Sequence, residues 1–143
     1  MRAMWVLLVL AVAAIVSFWV AWFADRPLVA SRTTQAYYDF ENAFPLADAW
    51  LATCLLVAAW QLGRRRPSAL LWLLLASGAG GYLFCMDVLY DIEHGIWGSD
   101  AAGAFEGLLN VVTLAISVIV ATWTWRNRDL LMGDRSGSAR VPG

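Results

Sequence analysis

Four apolar runs constrain this chain more than any other feature of its sequence. A helix of about 20 residues bridges the hydrocarbon core of a bilayer, and residues 4–23, 44–62, 70–90 and 105–125 each come close to that length. A backbone surrounded by lipid must satisfy its own polar groups, so such runs fold as helices. The expected fold class is all-α, an integral-membrane four-helix bundle built by one domain over residues 1–132. The polar end, residues 133–143 (GDRSGSARVPG), reads as a disordered tail. Arg2 ahead of the first run imitates a secretory signal, but the apolar stretch is too long for one and no small-x-small cleavage site follows.

Charge orients the bundle. Arg2, Arg64, Arg65, Arg66, Arg126, Arg128, Arg135 and Arg140 fall on one side of a four-span chain, and only Arg26 and Arg32 on the other. The positive-inside tendency makes the arginine-rich side, with both termini, cytoplasmic. Lysine is absent, and the arginine- and alanine-rich usage matches a GC-rich bacterial genome, so the expected location is a bacterial inner (cytoplasmic) membrane, as a multi-pass protein. Tryptophans near both ends, among them Trp60, Trp123, Trp19 and Trp97, read as interfacial belts. The acids sort the opposite way: nine lie in the outer half and only Asp129 and Asp134 in the inner.

Several chemistries are excluded. Without lysine there is no Schiff base. Cys54 and Cys85 form no C-x-x-C and sit in apolar runs, which argues against a thiol-disulfide relay. A lone histidine excludes a bis-histidine haem within the chain and argues against a serine triad. No phosphate-binding glycine loop appears, and a net charge of −1 gives nucleic-acid binding no support.

The third run ends in M-D-V-L-Y-D-I-E-H-G, residues 86–95, where three carboxylates and the only histidine follow directly on apolar sequence. Counting from the arginine side at about 1.5 Å per residue places Asp48 about 22 Å and Asn110 about 24 Å along their helices, with Glu41, Asp87 and Glu106 at about 30–33 Å. Against a core about 30 Å thick, these groups share one outer level, while Asp91, Glu93 and His94 fall beyond it as solvated acids and a loop histidine. The spacings align as well: Asp87, Tyr90, Asp91 and His94 follow i, i+3, i+4, i+7, and Glu106 and Asn110 follow i, i+4. Ionisable groups inside a membrane usually face a bundle interior and mark function. An acidic pocket at the outer mouth, lined by spans two, three and four, is therefore expected. Tyr37, Phe40 and Phe44, spaced i, i+3, i+7, predict a short amphipathic segment that covers it. Serine and glycines from Ser77 to Gly81 predict a close helix contact.

Three functional readings follow. The first is a small-molecule or lipid-like ligand site with acid–base chemistry of the isomerase, cyclase or hydrolase kind. Desolvated carboxyl groups hold their protons, and a protonated acid beside an ionised one can donate and accept. Asp48, with Asp87 or Glu41 as partner, is the candidate catalytic pair, and Asn110, Glu106, Tyr90, Tyr38 and Trp50 are candidate ligand contacts. The second is a divalent metal as cofactor, held by Asp91 and His94 at i, i+3 spacing with Asp87 one turn below and with Glu41 and Glu106 completing an oxygen-rich site, which suits Mn²⁺, Fe²⁺ or Zn²⁺ with the imidazole and Ca²⁺ or Mg²⁺ without it. The third is a subunit or assembly factor of a membrane complex, or a homo-oligomer, using the acidic rim and the small-residue face. Asp48 also has a structural role open to it: Pro45 suits a helix start, and an acid in the first turn is favoured by the helix dipole.

Overall fold

The computed structural model describes residues 1–98 and 100–133, so the tail expectation for 133–143 lies, from residue 134 on, outside the described residues. The described chain is all-helical. In order it comprises α1 (Arg2–Ala24), α2 (Arg26–Val29), α3 (Gln35–Glu41), α4 (Pro45–Gly63), α5 (Ala69–His94), α6 (Ala101–Arg126) and α7 (Arg128–Met132). Four segments have the length and apolarity to cross a membrane: α1, α3–α4 together, α5 and α6. Most of each faces outward, and the outward side chains are apolar, including Val6, Leu10, Leu56, Leu71, Val111 and Val118. That inversion of the soluble pattern is what a lipid solvent requires.

Local sequence explains where the helices begin and end. Pro45 stands at the start of α4 and Asp48 in its first turn, so the structural role open to Asp48 is realised. Asp100 caps α6 by accepting the Gly103 N–H at 2.9 Å. Gly95 closes α5 in a left-handed conformation, φ 61°, which only glycine adopts without a Cβ penalty. Between α4 and α5 the chain turns at Arg64–Arg66, and the guanidinium groups of Arg64 and Arg66 lie 4.6 and 5.0 Å from the Trp60 ring centre.

The span-length helices pack as a row. α1 packs on α4, α4 on α5, and α5 on α6. At the end carrying Arg64–Arg66, the arginine end, the packing is dry: Leu8, Cys54, Ala58, Ala69 and Leu73 are fully or almost fully buried. Midway, Gly80 meets α6 so closely that a Cβ there would lie 2.5 Å from Ser117 Oγ. Ser77 Oγ donates to the Ser117 carbonyl at 2.7 Å. The small-residue stretch Ser77–Gly81 therefore serves a contact within the chain, with Gly80 as the residue that needs to be small.

Candidate functional site

At the opposite, acidic end the helices stay apart and polar side chains bridge them. Asp91 is 1% exposed. Its Oδ2 accepts the Asn110 amide at 2.7 Å and the Trp97 indole N–H at 2.6 Å. Gly107 makes room for Trp97, since a Cβ there would sit 3.2 Å from the indole ring. Tyr37, on α3, donates its hydroxyl between the two oxygens of Glu106 at 3.2 and 3.3 Å. The Ser31 N–H donates to that same Tyr37 oxygen at 3.4 Å. Trp19, on α1, donates its indole N–H to Asp48 at 2.8 Å.

Between these bridges lies a cavity of about 230 Å³. Its acidic end holds Glu41, Asp48, Asp87, Glu106 and Asn110; its deeper wall is apolar, with Ala11, Leu51, Leu55, Ala76, Leu83 and Val120. One carboxylate oxygen each from Glu41, Asp87 and Glu106 come within 4.8 Å of one another. The short helix α3 lies over this end, with Tyr37 and Glu41 both buried. The lining residues of α4 and α5 are buried or half-buried, whereas Ala14 of α1 and Phe105, Leu109 and Val112 of α6 are exposed although they line the cavity. The exposed part of the cavity lining thus lies on α1 and α6.

Of the residues expected from sequence, Glu41, Asp48, Asp87, Glu106 and Asn110 are gathered around this one cavity. Asp91 departs from its expected place as a solvated acid beyond the membrane. α5 continues one turn past Tyr90 to His94, so Asp91 stays on the Asp87 face and becomes the most deeply buried acid of the group. His94 does not follow it inward. The histidine is exposed, with its ring stacked on Tyr90 at 4.0 Å, so Asp91 and His94 do not converge on a common ligand position, and the carboxylate group with metal-ligand spacing is Glu41–Asp87–Glu106 instead. Tyr90 is sandwiched between Phe40, at 3.8 Å, and His94, outside the cavity. Tyr38 packs on Trp22 beside Arg26 rather than on the cavity. Trp50 is 51% exposed on the lipid-facing side, near Trp72.

Two donors escaped the sequence reading. Trp19 and Trp97 read as belt residues, yet each gives its N–H to an acid of the site. The available signal was chemical: a tryptophan withdrawn from water needs an acceptor for its N–H, and both sit within reach of an acid-bearing level. Ser31, in the loop before α3, carried no signal at all. No family model, curated protein or solved structure matches this chain.

Proposed function

We propose that this protein binds an amphipathic, lipid-like small molecule drawn sideways from the bilayer, with its polar group among Glu41, Asp87, Glu106 and Asn110 and its apolar part against the deeper wall. One observation carries this reading: a single cavity joins a carboxyl-rich end to an apolar end and is exposed along the α1–α6 side. Ligand pockets are commonly apolar with a few convergent polar groups, and a lateral opening suits a ligand dissolved in lipid. The same carboxyl groups are equipped to transfer protons. Asp87 and Glu41 lie at the cavity end where a reacting group would sit, and Asp48, held by Trp19, lies along its wall. Proton-transfer chemistry of the isomerase or cyclase kind is the reaction class this arrangement favours. The arginine end would face the cytoplasm, following the positive-inside tendency, in a bacterial inner membrane.

Native mass spectrometry of the protein purified in mild detergent without chelator tests this. The expected result is a retained organic mass, lost in Asp87→Asn and in Ala14→Trp, a substitution that fills the open side. A bare chain in every preparation, with the helical fold intact, would sink the proposal. A second reading rests on the oxygen triad itself: Glu41, Asp87 and Glu106 have the spacing to hold a divalent cation, and oxygen ligands without nitrogen suit Mg²⁺, Ca²⁺ or Mn²⁺. A retained metal lost in Glu106→Gln, with no organic mass, would favour it.

A further inference from the structure

The acidic end of the cavity is short of hydrogen-bond donors. Three carboxyl groups gather there, from Glu41, Asp87 and Glu106, and Asp91 stands next to Glu106 outside the cavity lining. Ionised carboxylates accept and do not donate. The protein supplies few protons against them. The Tyr37 hydroxyl is spread over both Glu106 oxygens. The Asn110 amide and the Trp97 indole converge on one oxygen of Asp91, and Asn110 also reaches Asp87. The Ser31 hydroxyl lies within reach of both the Ala102 carbonyl and the Glu106 carboxyl, with one proton to give.

Asp91 lies outside the cavity lining, with the Glu106 carboxyl within hydrogen-bonding reach of it. The cavity acceptor left wanting is Glu41. Glu41 is 7% exposed, and the donor within its reach is the Tyr37 hydroxyl, whose one proton is aimed at Glu106. No arginine offsets the group: the ion pair found among the described residues joins Arg128 to Asp129, at the other end of the bundle. An enclosed acceptor without a donor costs about 1–3 kcal/mol, and more when charged. A cavity so built is complementary to something that brings N–H donors and positive charge together.

The walls decide between a metal ion and an organic cation. Phe18, Trp19, Phe44, Phe84 and Phe105 all line the cavity, and aromatic faces attract cations. Small divalent ions prefer to keep water and oxygen around them, for which the apolar wall offers nothing. A quaternary ammonium would satisfy the charge but carries no N–H for Glu41. Resting on the reading of the cavity as a lipid-like ligand site, we propose that the ligand is an amphipathic amine, bound as its ammonium form, with the N–H groups shared by Glu41, Asp87 and Glu106 and the hydrocarbon chain lying toward the α1–α6 opening.

Equilibrium binding of tritiated decylamine to the full-length protein in lipid nanodiscs tests this, with empty nanodiscs as the baseline. Decanol, decyltrimethylammonium and MnCl₂ serve as competitors. The expected result is saturable binding at one site per chain, with decanol and decyltrimethylammonium each competing about tenfold more weakly than unlabelled decylamine, a difference of about 1.4 kcal/mol. Glu41→Gln and Glu106→Gln should each weaken decylamine by a similar factor and leave decanol unchanged. The competition series uses the unmodified protein, so it decides the matter even where a variant misfolds. If decanol competes as well as decylamine, the amine assignment fails while the lipid-like site survives. If manganese displaces decylamine completely and binds saturably on its own, the site is a divalent-cation site. If neither decylamine nor decanol binds above the empty nanodiscs, the amine and the ligand-site readings both fall.

Discussion

The two ends of the bundle hold their helices together in different ways. At the arginine end Leu8, Cys54, Ala58 and Leu73 are packed without exposure, and the helices touch through small and aliphatic side chains. At the acidic end Asp91, Glu106 and Asn110 are equally enclosed, but they join α3, α5 and α6 through polar bonds and leave a cavity beside them. In lipid, hydrophobicity does not drive one helix onto another, so close packing and interhelical hydrogen bonds carry the association. The arginine end uses the first and is complete within the chain. The acidic end uses the second and leaves a cavity beside its bonds. On the proposed reading the dry end fixes the helices and the polar end receives the ligand.

Perturbations of graded size break or sharpen that contrast. The largest effect is expected at Asn110, whose amide donates to the most buried acid. Asn110→Leu should lower unfolding stability by about 3 kcal/mol, because Asp91 would keep only the Trp97 bond. Reversible unfolding in mixed micelles measures this, and an unchanged midpoint would show that the acidic end is not held by Asp91. Next is Gly80→Ala, which drives a Cβ into Ser117 Oγ. Overpacking of this kind costs about 1–3 kcal/mol. Adding Ser117→Ala should recover most of it, since the next nearest atom, Ser117 Cβ, lies at 3.8 Å, an ordinary contact. Failure of the double variant to recover would place the strain elsewhere. Trp19→Phe keeps the ring and removes the donor to Asp48; interhelical hydrogen bonds in membranes average about 0.6 kcal/mol, so a loss near that size is expected, with a larger proportional loss of ligand than of stability. The smallest effect belongs to His94→Ala. The ring lies outside the cavity on Tyr90, so stability, retained ligand and any retained metal should be unchanged. A loss of metal in this variant would restore the Asp91–His94 pair as a ligand set.

Much of the architecture was legible in the chain because the bilayer reduces the choices. Apolar runs of span length have one way to satisfy their backbones, and Pro45 marks a helix start by chemistry that acts within a turn; the caps at Asp100 and Gly95 were not read in advance. The level of the acids was legible too, since a helix converts residue count into depth, and Glu41, Asp48, Asp87, Glu106 and Asn110 do surround one cavity. Direction around each helix axis was not. Periodicity assigns Asp87, Tyr90, Asp91 and His94 to one stripe, yet Asp91 is buried in the bundle while Tyr90, outside the cavity, is stacked between Phe40 and His94.

What the sequence alone determined is therefore the all-helical class and the four helices of membrane-span length, both consequences of short-range geometry and of a solvent that forbids unsatisfied backbone. What only the tertiary structure decided is which side of each helix meets which neighbour: that Asn110 and Trp97 close on Asp91, that α3 folds Tyr37 over Glu106, and that the cavity is lined by α1, α4, α5 and α6 together. Those choices depend on side chains from different helices fitting together, at Gly80 against Ser117 and Gly107 against Trp97, and a periodic pattern in one helix carries no information about the shape of the next.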